Sequence, residues 1–193
     1  MSMNENENNK VRLDLFENSD FSRGASRAVE AGWFVLSGLL VESWLPGSGW
    51  RQALLRLFGA KIGFGVVIKP RVRVKFPWRL EVGDNVWIGE RVWIDNLDRV
   101  TIGSNACISQ GVYLCTGSHD WSKQSFDLIT KPIVIGEGAW IAAHSVVAPG
   151  ATLGDASVLT IGSVAIGELA SWTIYSGVPA RATKKRLIQT EQG

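Results

Sequence analysis

From residue 135 to residue 164 the chain repeats every six residues, reading IGEGAW, IAAHSV, VAPGAT, LGDASV, LTIGSV. An aliphatic residue opens each hexad (Ile135, Ile141, Val147, Leu153, Leu159), and a small one follows four places later (Ala139, Ser145, Ala151, Ser157, Ser163). Self-similarity at a short fixed period marks a solenoid, whose units bury their apolar sides only by stacking. A period of six fits neither a helix nor one long strand. It fits short strands that turn a corner every six residues, so that a few faces close one coil of a parallel β-helix. The aliphatic residue fills the middle of each face. The small residue sits inside the corner, where a leucine would clash.

The same phase runs upstream in triplets: Ile62, Ile68, Val74; then Val82, Ile88, Ile94; then Ile102, Ile108, Leu114. The steps between triplets are two residues longer than the steps within them. A three-sided prism with one permissive corner accounts for this. After Leu114 that third corner must expel TGSHDWSKQSFDLITKP before the phase resumes at Ile135. A solenoid that keeps its phase across a long insertion is holding out a functional loop.

The chain has 193 residues, enough for one domain with a sizeable core. A net charge of +2 with 20% charged residues argues against nucleic acid as a partner. The two cysteines, Cys107 and Cys115, form no CxxC pair and read as free thiols in a reducing compartment. The start, MSMNENENNK, is polar and lacks the apolar core of a signal peptide. A cytoplasmic location follows as the expectation, with the inner face of the membrane as an extension of it.

In chain order, residues 1–12 read as disordered. Residues 13–60 form a wrapping segment and helices that cap the solenoid, and residues 61–170 form the β-helix with its expelled loop at 115–132. Residues 171–193 form a C-terminal extension that folds back over the last coil. Residues 26–44 are a helix candidate with Trp33, Phe34, Leu36, Leu40 and Val41 on or near one side. Its apolar part, 31–41, is too short to span a bilayer, which needs about 20 residues. The stretch 28–45 has two readings. It packs on the prism or on a neighbouring subunit, or it lies in a membrane interface helped by Trp33 and Trp44. A second helix is expected at 50–58, covering the open bottom of the prism, whose unpaired edge needs protection.

The chemistry should sit on the expelled loop. His119, one of only two histidines, lies at its base. Asp120 follows it, and Asp95, Asn96 and Asp98 lie at the same corner one coil below, a step of about 4.8 Å. A carboxylate or amide there would orient an imidazole and fix its tautomer, as a general base requires. Trp93 and Trp121 offer flat apolar surfaces of the kind that stack on sugar rings. His144 falls in a corner and reads as a surface residue.

The hexads, the TGSHDW loop, GAWIAAHSVVAPGATLG and the terminal GVPAR resemble the hexapeptide-repeat acyltransferases. The run VWIGERVWIDNLDRVTIGSNACISQGVYLCTGSHDWS is similar to colanic-acid-type exopolysaccharide O-acetyltransferases, with galactoside and maltose O-acetyltransferases as more distant likenesses. The resemblance implies a left-handed β-helix, a homotrimer with active sites between subunits, and acetyl transfer from acetyl-CoA to a sugar hydroxyl, with no metal. It implies His119 as the catalytic base and Asp95 and Asn96 among the acceptor contacts; the residues themselves add Trp93, Asp120 and Trp121 as further candidates for substrate binding. For acetyl-CoA it implies Trp140 and the N–H of Ala143 beside the thioester, Ile161 and Ile166 along the pantetheine arm, and Arg181 and Lys184 at the phosphates. Two departures stand out. Ile166-Gly167 replaces the Thr-Lys pair common in the family, and Ala143 replaces a serine. His119 would then face a neighbour's Trp140 side.

Other functions compete. N-acetylation of an amino sugar would use the same base. A zinc hydratase on this fold needs three histidines per metal, and this chain has two in all. A non-catalytic scaffold would not need the histidine loop. A covalent acetyl-enzyme would need Ser109, Ser118 or Cys115 beside a base, and His119 is the one at hand.

Overall fold

The computed structural model describes residues 10–189. The expectation of disorder over 1–12 therefore falls mostly outside the described residues. Three sheets of six, seven and five strands, parallel but for the last strand of the second, form the faces of a prism of about six coils. Their registers show how the coils stack. Lys61, Glu81, Thr101, Val134, Thr152 and Glu168 succeed one another on the first face. Val67, Trp87, Cys107, Trp140, Val158 and Ile174 do so on the second, and Arg73, Trp93, Tyr113, Val146 and Val164 on the third.

The hexad aliphatics all point inward: Ile135, Ile141, Val147, Leu153 and Leu159 are buried, as are Ile68, Val74, Val82, Ile88, Ile94, Ile102, Ile108 and Leu114. Ala139, Ser145, Ala151, Ser157 and Ser163 are buried inside the corners. In the lower coils the equivalent positions hold Val66, Val72, Val86, Val92, Ala106 and Val112, also buried. The inner corner thus admits a valine in the lower coils and narrows to alanine or serine in the upper ones.

The first and second corners place one residue of each turn in the left-handed region. These are Gly65, Asn85, Asn105, Gly138, Ala156 and Trp172 at the first, and Arg71, Arg91, Gly111, His144 and Gly162 at the second. Gly and Asn tolerate this conformation, which explains much of the glycine content. Gly103 has a second reason: a Cβ there would lie 2.7 Å from the Glu137 nitrogen of the next coil. The third corner carries the extra residues, as expected. A short 3-10 turn, Pro77–Arg79, fills it in the first coil.

Helix α1, Arg27–Leu36, starts at Ser26, whose hydroxyl accepts the Val29 N–H at 3.3 Å. It runs on as a wider π-type turn, Ser37–Val41. Trp33, Ser37 and Val41 are its buried side. Trp33 is therefore no outward anchor: its indole Nε1–H donates to the Val74 carbonyl at 2.9 Å on the third face. Phe34, Val35, Leu39 and Trp44 stay exposed. Helix α2, Gly49–Leu57, lies against the first coil. Its buried Arg51 donates to the carbonyls of Val41, Ser43, Leu45 and Gly47, tying the two helical segments together. No described helix is long and apolar enough to cross a membrane.

At the other end the ladder runs past residue 170. Thr173–Gly177 adds a parallel rung to the second face, and Ala180–Lys185 returns antiparallel beside it.

Ala151→Leu should cost about 1–3 kcal/mol by overpacking the corner, whereas Thr152→Leu, on the exposed side of the same rung, should be near neutral. Denaturant unfolding of both variants measures the difference.

Candidate active site

The expelled segment is ordered as an antiparallel hairpin. Gly117–His119 pairs with Leu128–Thr130, with His119 opposite Leu128. Its connecting turn is closed by Asp120, whose carboxylate accepts the Ser122 N–H at 3.0 Å and the Ser122 hydroxyl. Those two bonds hold the Asp120 carboxyl below the usual carboxylate range. Trp121, beside it, is 81% exposed.

His119 is half-buried. Its Nδ1 lies 2.8 Å from the Phe126 carbonyl oxygen. A carbonyl only accepts, so Nδ1 carries the proton and the lone pair sits on Nε2. The Phe126 ring stacks on the imidazole at 4.3 Å and 6°, and the Phe16 ring leans on it at 5.8 Å and 57°. Phe126 thus supplies both a carbonyl and a ring to one imidazole. It does so from a left-handed backbone, φ 51°, which is uncommon for a bulky residue. The orienting group expected at Asp95, Asn96 or Asp98 is instead this carbonyl.

Those residues have other partners. Asn96 is fully buried, and its amide both accepts the Phe76 N–H at 2.9 Å and donates to the Phe76 carbonyl at 2.7 Å. An acceptor cannot reach an amide so enclosed, which corrects the reading of Asn96 as a substrate contact. Asp95 Oδ1 lies 3.0 Å from the Lys75 ammonium, and Oδ2 accepts the Tyr113 hydroxyl at 3.0 Å. Burial, with Cys115 and Asp95 beside it, pushes the Tyr113 phenol well up, so it stays a donor. Trp93 stacks on Tyr113 at 4.6 Å, and the Arg73 guanidinium covers it at 5.2 Å. Its flat surfaces are therefore occupied, and it presents an edge.

The residues expected to meet acetyl-CoA gather elsewhere. Trp140 lies on the second face, its Nε1–H donating to Ser109 Oγ at 2.9 Å. Lys184 lies opposite Ile174 at the top of the same column, and Arg181 lies opposite Ser176. Ala143 and Ile161 occupy successive second corners, linked by the bond from the Gly162 N–H to the Ala143 carbonyl at 3.0 Å. The Ala143 N–H has no backbone partner among the described residues. Ile161 and Ile166 are both exposed, but Ile166 lies one corner further on, at the third. Arg186 is tied to the Gly138 and Ala156 carbonyls and is not part of this group. His144 is an exposed corner residue, as expected.

One feature escaped the sequence reading. Below Trp140 a cavity of about 440 Å³ opens on the second face, walled by Trp87, Cys107, Ser109, Gln110, Glu90 and Lys69. Trp87 is 61% exposed there. The signal was available: Trp87 is the outward residue of its rung, two coils before Trp140.

A solenoid with a histidine hairpin at one corner and an N–H with no backbone partner beside a tryptophan at another defines a class of acyl-transfer proteins, and the comparisons with known proteins agree. No protein-family model matches the chain. WcaF of Escherichia coli K12, assigned as an acetyltransferase of colanic acid biosynthesis, is 42% identical over 171 residues, covering 89% of this chain and 93% of that one. The galactoside O-acetyltransferase of the same organism is 28% identical over 138 residues, 70% of this chain and 68% of that one. A hexapeptide-repeat acetyltransferase of Vibrio cholerae, solved with acetyl coenzyme A, superposes with a TM-score of 0.78 at 26% identity, over 91% of this chain and 97% of that one. Galactoside acetyltransferase in complex with coenzyme A gives 0.75 at 26% identity, over 86% and 84%. The chain belongs to the hexapeptide-repeat acetyltransferases, the left-handed β-helix family that includes the colanic acid acetyltransferases. It is an acetyltransferase, and acetyl-CoA is its acetyl donor. Among the described residues no group of three or more His, Cys, Asp or Glu comes together to hold a metal ion.

Asn96→Leu tests its assigned role. It should cost roughly 2–4 kcal/mol of stability by stranding the Phe76 N–H and carbonyl. The refolded variant should keep its KM for the acceptor; unfolding curves and kinetics separate the two effects.

Proposed function

We propose that the protein transfers the acetyl group of acetyl-CoA directly to a sugar hydroxyl, with His119 as general base. The observation that carries this is the 2.8 Å bond from His119 Nδ1 to the Phe126 carbonyl, which leaves Nε2 as the free base. A sugar hydroxyl is a poor nucleophile at neutral pH, and a positioned base contributes typically 10²–10⁴-fold. Nε2 takes the hydroxyl proton as the oxygen attacks the thioester carbonyl carbon. The C–S bond then breaks, and the proton passes from His119 to the departing CoA sulfur. The Ala143 N–H, beside Trp140, is suited to stabilise the oxyanion formed on the way. Arg181 and Lys184 suit the CoA phosphates, as exposed cations at the end of the Trp140 column. Trp93, Asp95, Asp120 and Trp121 remain on the third face and the hairpin as candidate acceptor contacts. The second-face cavity with Trp87 is a further one. The likeness to WcaF supports an exopolysaccharide intermediate as acceptor.

His119 belongs to the third corner and Ala143 to the second, a whole face apart. A face spans on the order of 15 Å, while reacting atoms must come within about 3.5 Å. This supports a homotrimer in which one copy's hairpin meets the next copy's Trp140 and Ala143. The exposed strip formed by Phe34 of α1 at 80% and Trp44 just past the π-type turn at 71% supports a peripheral contact with an anionic membrane, flanked by the exposed cations Arg27 and Arg71.

Two experiments follow. His119→Ala should lower kcat by 10²–10⁴-fold, and Ala143→Pro, which deletes the N–H, by 10²–10³-fold. Co-refolding the two inactive variants should restore about a quarter of the activity by random mixing, if sites are shared between copies. Near-normal turnover in His119→Ala would end the general-base reading. For the membrane contact, the protein should co-sediment with phosphatidylglycerol vesicles and Phe34→Glu should abolish it; an α1 strip buried between copies would give no sedimentation in either.

A further inference from the structure

Residues 10–25 belong to no coil, yet they are fixed at both ends. The Arg12 N–H donates to the Gln124 carbonyl on the hairpin turn at 2.8 Å. A 3-10 turn, Leu13–Leu15, then brings Phe16 against the His119 ring. Further on, Phe21 stacks on Phe76 at 6.5 Å. The Trp78 Nε1–H donates to the Arg23 carbonyl at 2.8 Å, and Arg79 donates to the Ser22 carbonyl. The segment is a strap, joining the hairpin to the third corner of the first coil before α1 begins.

The strap touches the imidazole itself. His119 has two side-chain torsions to fix. Phe126 covers one surface of its ring and bonds Nδ1. That bond is a single contact to a turn held in a left-handed conformation. A half-turn of the ring would exchange Nδ1 for a carbon and lose it, and the free ring would then populate both neutral tautomers. Phe16 leans on the same ring from the strap, tilted at 57° with its centroid 5.8 Å away.

We propose that Phe16 is a positioning residue for His119, and that the strap is a working part of the active site. The proposal rests on the general-base reading. Its consequence is a loss in turnover without a loss in acetyl-CoA binding, because the donor residues lie on another face.

The test uses the fact that the chain has only two histidines, His119 and His144. Long-range ¹H–¹⁵N spectra of the full-length protein resolve both rings, and His119→Asn assigns them. In the wild type His119 should show one tautomer, protonated at Nδ1. Phe16→Ala should give mixed tautomers and a kcat lowered on the order of ten-fold, with an unchanged KM for acetyl-CoA. Phe16→Leu should restore both. If Phe16→Ala does not fold, Arg12→Pro loosens the strap by removing its N–H donor while keeping the phenyl ring, and should mix the tautomers in the same way. A wild-type tautomer spectrum in the folded variant overturns the proposal, whether kcat falls or not. The spectrum needs neither acceptor nor turnover, so near-normal turnover in His119→Ala would end the general-base reading and leave the positioning measurement intact.

Discussion

Each coil lies on the one below in fixed register, Val67 under Trp87, Trp87 under Cys107, Cys107 under Trp140. The backbone ladder sets a spacing of about 4.8 Å between rungs, and the inward aliphatics fill the space the ladder encloses. Neither alone is sufficient. A two-residue strand has too few bonds to persist by itself, and a row of isoleucines without a ladder has no register. Together they give a rigid prism, and every outward side chain then has a place defined by its face and its coil. The chemistry inherits its geometry from that grid.

Such a grid also explains where variation is allowed. The inner corner is enclosed by backbone on several sides, so its occupants run only from alanine and serine to valine. The third corner opens to solvent, so it holds the short turn at Pro77, the Asn96 corner and the hairpin bearing His119 without disturbing the phase on either side. Asn96 shows the limit of that freedom. Its amide staples Phe76 from the coil below, so a polar residue in an irregular corner serves the stack rather than a substrate.

Legibility follows the same division. Inward residues are selected by size and apolarity, which are written in the residue names; the hexads, the three faces and the expelled loop were therefore readable. Outward residues are selected by what they meet, which the names do not record. Trp93 was readable as an exposed aromatic, but not as one whose faces are taken by Tyr113 and Arg73. Trp33 and Trp44 looked alike on a helix, and only docking against Val74 separates them. The orienting partner of His119 was hidden most deeply. It is a backbone carbonyl, and every residue has one. Only the hairpin, with its left-handed Phe126, decides which carbonyl faces the ring.

The base and the oxyanion donor have opposite mechanical requirements. A donor N–H must stay within a few tenths of an ångström of a developing charge, and it benefits from the most rigid backbone in the molecule, a corner locked above and below by its neighbours. A base must approach a bulky acceptor and retire as product leaves, and it benefits from a hairpin. Ala143 as the proposed oxyanion donor and His119 as the proposed base match these two demands. The cost of mounting the base on a hairpin is orientational freedom in the ring. Phe126 removes part of it with a carbonyl and a parallel phenyl, from within the same hairpin and therefore moving with it. A contact from outside the hairpin is of a different kind, because it couples the ring to the prism. Phe16 is such a contact, and the strap behind it is fastened to Trp78 and Arg79 on the first coil. The imidazole is thereby referred to the rigid frame of its own prism.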